Sequence, residues 1–251
     1  MDAIFLDTNS IHNKKTDSFF GNQSKFQRVM NQVNIIIPSI VILEIKRQKR
    51  RYLIDELEKL EKNYFYDYLN LNKDKSDEIR NFIDTKVNSL YDKANDEILH
   101  IEYDLTEDDA FEKVKHFAVE NIAPFDAKSD KGFKDSCFYF TVKQYQKSNT
   151  DKIFVVTNDK RLKEAFSDDK ITVIENIEEY SVYYRDNYFK GDYFIGKLRE
   201  YFEKDSIESN NIVEVSLNAE ADWLIKIDNK DEEITLLVDF NSKEILDVVN
   251  A

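Results

Sequence analysis

Asp2-Ala3-Ile4-Phe5-Leu6-Asp7-Thr8-Asn9-Ser10-Ile11 is a short apolar run that stops at an aspartate and gives way to small polar residues. A run this short and rich in strand-forming residues reads as a buried strand. The pattern returns in Lys152-Ile153-Phe154-Val155-Val156-Thr157-Asn158-Asp159. In an open parallel sheet, the loops just past the carboxyl ends of the strands carry chemistry while the sheet stays rigid. Asp7 and Asp159 are therefore expected on one rim. An aspartate after a strand also commonly caps the following helix or turn, so each has a structural reading beside the functional one.

Working outward, Asn34-Ile35-Ile36-Ile37-Pro38 is a second buried strand, and Ser39 is read as the N-cap of the helix that follows. Glu44 lies in its second turn. Ile42, Ile45, Leu53, Leu57, Leu60 and Tyr64 form one stripe, which predicts a helix of about twenty residues, roughly 30 Å long. A polar break at 72–76 precedes Ile79, Ile83, Val87, Leu90, Ala94, Ile98 and Ile101, spaced by three and four. The two segments predict an antiparallel helical hairpin over about 50–102. Phe111, Val114, Phe117 and Ala118 are read as the core face of a further helix. Gly132 closes a polar approach to one bearing Phe138, Val142 and Tyr145. A strand over 171–174 and a tyrosine-rich connection complete an alternation that predicts a three-layer α/β/α domain around a central parallel sheet.

From Asn210 the pattern changes to short apolar runs at 212–217, 223–227, 234–240 and 245–249, divided by Asn, Asp and Lys turns. This reads as a small antiparallel β appendage, giving expected units of 1–205 and 206–251. So small a sheet buries too little to stand alone, so it should pack on the main domain or on a second subunit. Trp223 is read as its anchor, and the appendage as the route to a homo-oligomer or protein partner.

The formal charge is -14 and the pI about 4.8, so a broad electrostatic footprint for nucleic acid is missing, although a local one is not excluded. A single cysteine rules out an internal disulfide framework and suits a reducing compartment. With no apolar leader and no run long enough to span a bilayer, the expected location is cytoplasmic, without membrane contact.

Carboxylates that follow strands or begin helices are Asp7, Glu44, Asp135 and Asp159. Gathered at one rim they repel unless a cation holds them, and hard divalent ions such as Mg²⁺ or Mn²⁺ take such oxygen ligands while engaging a phosphate. Phosphodiester hydrolysis follows from that chemistry. The histidines are isolated, which argues against zinc. Lys46, Arg47, Lys49, Arg50 and Arg51 crowd the segment after Glu44, with Arg47 and Arg51 near its face of the helix. They read either as phosphate contacts or as a solvated face balanced by Asp55, Glu56, Glu58 and Glu61. Lys128, Lys131 and Lys134 form a companion patch before Asp135.

Asp7-Thr8-Asn9, the entry Pro38-Ser39-Ile40-Val41-Ile42-Leu43-Glu44, Gly132-Phe133-Lys134-Asp135 and Val156-Thr157-Asn158-Asp159 together resemble the PIN-domain nucleases over roughly residues 1–175. The resemblance implies a metal-dependent endonuclease, most often of single-stranded RNA. It implies Asp7, Glu44, Asp135 and Asp159 as ligands of Mg²⁺ or Mn²⁺, oriented by Asn9, Thr157 and the neighbouring Asn158. Nucleic-acid contacts then fall to Arg47, Arg51, Lys131 and Lys134. The hairpin and the C-terminal strands depart from compact members of that family, as do bulky Phe138 and Tyr139 after Asp135. A phosphatase of the haloacid dehalogenase type also opens on a strand and an aspartate, but Asn9 stands where that group needs its general acid. A DNA-directed nuclease and a non-catalytic PIN-like binding module remain as alternatives.

Overall fold

The computed structural model describes residues 1–12, 18–21, 26, 29, 32–68, 73–97, 100–125, 132–167, 170–218, 220, 222–228 and 233–249. β1 (Asp2–Leu6) is the centre of a five-stranded parallel sheet. β2 (Asn34–Pro38) and β3 (Ile101–Tyr103) lie on one side, β4 (Lys152–Val156) and β5 (Thr172–Ile174) on the other. The inner strands are buried on both faces, which is why they read as continuous apolar runs rather than alternating ones. The register pairs Leu6 with Val156. Asp7 and Thr157 consequently leave the sheet side by side.

Helices cover the sheet: α1 (Thr8–Ile11), α2 (Ser39–Glu61), α3 (Tyr64–Tyr68), α4 (Lys73–Glu97), α5 (Ala110–Glu120), α6 (Phe133–Ser148), α7 (Lys160–Ala165), α8 (Glu178–Tyr184) and α9 (Asp192–Phe202). α2 and α4 form the expected hairpin, burying Ile45 and Leu57 against Ile83, Val87, Leu90 and Ala94. Each of the Ile, Leu and Val side chains contributes about 1.5–3 kcal/mol by leaving water. Arg80 with Glu61 at 2.7 Å and Arg50 with Asp84 at 2.8 Å tie the two helices at their surface.

Several local readings are corrected. Ser39 is already helical, and the cap position is held by extended Pro38 with no side-chain cap. Ile101 belongs to β3 rather than to the hairpin, because a three-residue edge strand is too short to interrupt a helical period visibly. Ile98 lies outside the described residues. Phe111 is 68% exposed and Ala118 is also exposed, so the inward face of α5 is narrower than the expected stripe and rests on buried Ala110 and Val114, with Phe117 against Phe140 at 4.9 Å between ring centroids. The tyrosine-rich connection is helical, formed by α8 and a π-helical turn, Arg185–Phe189.

β6 (Ile212–Leu217), β7 (Trp223–Asp228), β8 (Glu233–Val238) and β9 (Ile245–Val249) form a separate four-stranded antiparallel sheet. Its Ile212, Val215, Trp223, Ile225, Ile227, Leu236 and Val238 share one core with the parallel sheet. Trp223 stacks on Phe240 at 5.2 Å and packs against Tyr184 at 5.0 Å and Phe189 at 5.3 Å. Among the described residues, no helix is long and apolar enough to cross a membrane.

Candidate active site

Asp7 is the first residue past β1 and is buried. It caps α1 by accepting the Thr8 N–H at 2.6 Å, and its other oxygen accepts the Thr157 hydroxyl at 2.8 Å. Thr157 in turn accepts the Asp159 N–H at 3.1 Å. Asp159 caps α7 through the Arg161 and Leu162 N–H groups at 2.8 and 2.9 Å. The capping role of both aspartates is thus real and coexists with their place on one rim. Glu44, in the second turn of α2, accepts the Thr8 hydroxyl at 2.8 Å, the Gln48 amide at 3.1 Å and the Lys134 ammonium.

Asp135 is delivered by the first turn of α6, whose entry depends on Gly132. That residue has φ +125, and a Cβ there would lie 2.6 Å from the Phe125 Cα and 2.9 Å from the Pro124 carbonyl oxygen. Arg161 anchors the same loop by donating to the Phe125 carbonyl at 3.0 Å. Gly132→Ala is therefore expected to lower the unfolding free energy by roughly 1–3 kcal/mol in denaturant titration, since both the dihedral and the contact are unfavourable. An unchanged midpoint would show that the loop yields freely.

Asp7, Thr8, Ile40, Val41, Glu44, Lys134, Asp135 and Phe138 line one small cleft at the carboxyl edge of the sheet. Burial pushes the Asp7 carboxyl up to about 6, helped by the charges of Asp135 and Asp159 and opposed by the Thr157 and Thr8 donors. Asp135 is also raised, by burial first and then by Asp159, with Lys134 pulling the other way. The donor set is all oxygen and negative, which suits a hard divalent ion. Among the described residues no three acidic, histidine or cysteine groups are placed so that they could hold an ion. Two contacts accompany that spacing: Lys134 lies on Glu44, and Asp159 faces the amides of its own helix.

The supporting residues divide. Thr157 donates to Asp7, and within Asp7-Thr8-Asn9 the residue that joins Asp7 to Glu44 is Thr8 rather than Asn9. Asn9 is exposed and lines a neighbouring cleft with Asn158. Asn158 donates to the Glu175 carbonyl at 3.2 Å, fixing the loop after β5. Thr8 carried no distinguishing signal in the sequence beyond its place between Asp7 and Asn9. Gln48, four residues beyond Glu44, was detectable from helical spacing.

Of the basic strip, Lys46 lies over the Tyr91 ring at 4.2 Å and Arg50 pairs with Asp84, so these two tie α2 to α4, while Lys49 is buried. Arg47 and Arg51 face solvent, Arg51 only 4.0 Å from Asp55. Lys134 lies in the cleft itself. Lys128 and Lys131 fall outside the described residues.

A family model described as PIN domain matches residues 4–161, a span that contains Asp7, Glu44, Asp135 and Asp159. No curated protein and no solved structure matches the chain.

Proposed function

This chain belongs to the PIN-domain family, and on that basis we propose that it is an Mg²⁺- or Mn²⁺-dependent endonuclease acting on single-stranded RNA, with Asp7, Glu44, Asp135 and Asp159 as its metal-binding and catalytic acids. Nuclease action on nucleic acid with divalent metals is the general property of PIN domains. The observation that carries it is the meeting of Asp7, Glu44 and Asp135 in one cleft, with Asp159 close enough for its charge to act on Asp7 and Asp135.

Each residue has a task that its contacts suit. Asp7 would be the central ligand, because Thr157 and Thr8 fix both of its oxygens. Glu44 is set by Thr8 and Gln48. Asp135 approaches from the first turn of α6 and Asp159 from the N-cap of α7. A divalent ion held there supplies a Lewis acid for the phosphate and lowers the pKa of an attacking water. Arg47 and Arg51 would engage flanking phosphates from the face of α2 that carries Glu44.

The deciding experiment incubates purified protein and its Asp7→Asn variant with labelled single-stranded RNA, single-stranded DNA and both duplexes, with Mn²⁺ or EDTA. The reading requires Mn²⁺-dependent cleavage of single-stranded RNA, lost in the variant. Cleavage of DNA alone would make it a DNA nuclease, and tight binding without cleavage would make it a binding module. In a chain of net charge -14, a polyanion needs a local basic strip to overcome the long-range field. Arg47→Glu with Arg51→Glu is therefore expected to weaken RNA affinity under Ca²⁺, and to make its salt dependence shallower by roughly one contact per lost charge. An unchanged slope would return these arginines to the role of a solvated helix face.

A further inference from the structure

Lys134 was a candidate phosphate contact in the sequence, yet its ammonium lies on Glu44 in the acidic cleft that also contains Asp7 and Asp135. Three features of this placement belong together. Glu44 is held on its other oxygen by Thr8, which sits beside Asp7, so the carboxylate that Lys134 neutralises is part of the same hydrogen-bonded cluster. Lys134 precedes Asp135 on α6, so its positive charge acts on both acids at once. Its side chain is 45% exposed, against 17% for Glu44, so it reaches the cleft from the solvent side and can leave without opening the core. The carboxylates it meets are those proposed to receive the metal.

Resting on the nuclease reading above, we infer that Lys134 is an internal counter-cation that competes with the divalent ion for Glu44 and, once displaced, binds a substrate phosphate. An ammonium and a divalent cation cannot both neutralise one carboxylate without repelling each other, so metal entry drives Lys134 off Glu44. A released lysine at the mouth of an acidic cleft, with a polyanion arriving, finds its next partner in a phosphate oxygen. Lys134 thereby opposes metal binding in the free protein and favours nucleic-acid binding in the loaded one, which makes metal and substrate mutually reinforcing ligands.

The two effects have opposite signs, and one substitution separates them. Mn²⁺ binding to the full chain is measured by titration calorimetry and electron paramagnetic resonance, without nucleic acid, for the parent, Lys134→Gln, Lys134→Arg and Asp7→Asn. Lys134→Gln should bind Mn²⁺ about tenfold more tightly, a change of about 1.4 kcal/mol, while Lys134→Arg stays near the parent. The same Lys134→Gln protein should bind a single-stranded RNA oligonucleotide under Ca²⁺ more weakly, with a salt slope reduced by roughly one contact. Equal or weaker Mn²⁺ binding by Lys134→Gln overturns the inference, as does RNA affinity unaffected by the loss of the charge. Asp7→Asn tests the underlying site separately: if it keeps Mn²⁺ binding, the metal site is wrongly placed, whatever Lys134 does.

Discussion

Asp7→Asn is expected to lower Mn²⁺-dependent cleavage by roughly 10²–10³-fold, the scale on which one electrostatic group in an enclosed site is felt, while the metal-free protein becomes more stable at pH 7. The two outcomes share one cause. A buried carboxylate beside Asp135 and Asp159 is costly unless a cation is present, and folding places Asp7 in that position regardless. Its folded pKa of about 6 lies above its ordinary 3.8. The folded chain therefore holds the proton more tightly than the unfolded one. The stability tied to this group is complete below about pH 4 and is lost as pH rises through about 6. Between pH 7 and pH 5 the metal-free parent should gain roughly 1 kcal/mol from Asp7, and Asp7→Asn should lack that part of the slope. Thermal melts of both proteins across this range in EDTA check it. If Asp7 is the metal ligand proposed above, the dependence should reverse with Mn²⁺, because a carboxylate must be ionised to bind the ion. A variant that melts well below the parent at pH 7 would mean that Asp7 serves chiefly as the cap of α1.

Why Asp7 was legible in the sequence and Lys134 was not is a matter of which forces act locally. The end of an apolar strand fixes where the chain leaves the sheet, and the pairing of Leu6 with Val156 then brings Asp7 and Thr157 together with no further information. Glu44 was placed by helical spacing alone. The hairpin emerged from the period of Ile79, Ile83, Val87, Leu90 and Ala94, all of which bury or pack in the core. What the sequence withheld depends on choices between partners. Lys46 and Arg50 look like Arg47 and Arg51 until α4 is folded against α2 and takes them. Phe111 and Phe117 both fit a helical stripe, and only the position of α6 decides which is buried. β3 is three residues long, too short to show a period at all. The cation on Glu44 is the clearest case: a lysine beside an aspartate in a polar stretch says nothing about a glutamate ninety residues earlier in the chain.

The largest expected loss of stability comes from Trp223→Ala, away from the acids. The antiparallel sheet has four strands and would be marginal in isolation, so its stability depends on the surface it shares with the main domain. Trp223 is the centre of that surface. It is fully buried among Tyr180, Tyr184, Phe189 and Phe240, and Lys243 lies over its ring at 4.9 Å. Removing the indole leaves a cavity lined by aromatic rings that cannot collapse, because Tyr180 and Tyr184 are also held by hydrogen bonds to Asp2 at 2.8 and 2.5 Å. A loss of about 3–5 kcal/mol follows, as for other large aromatic truncations in a core. Deleting the whole sheet would be a poorer test, since it would expose Tyr180 and Phe189, both fully buried in the intact chain. Asp2 opens β1 and Asp7 follows it, so the anchor and the acidic cleft sit at opposite ends of one rigid strand. Mn²⁺ affinity, measured where the variant is still folded, should therefore match that of the parent. A Trp223→Ala protein with an unchanged denaturation midpoint would show the antiparallel sheet to be a loosely attached appendage, and a folded variant that no longer binds Mn²⁺ would show that the sheet shapes the metal site through β1.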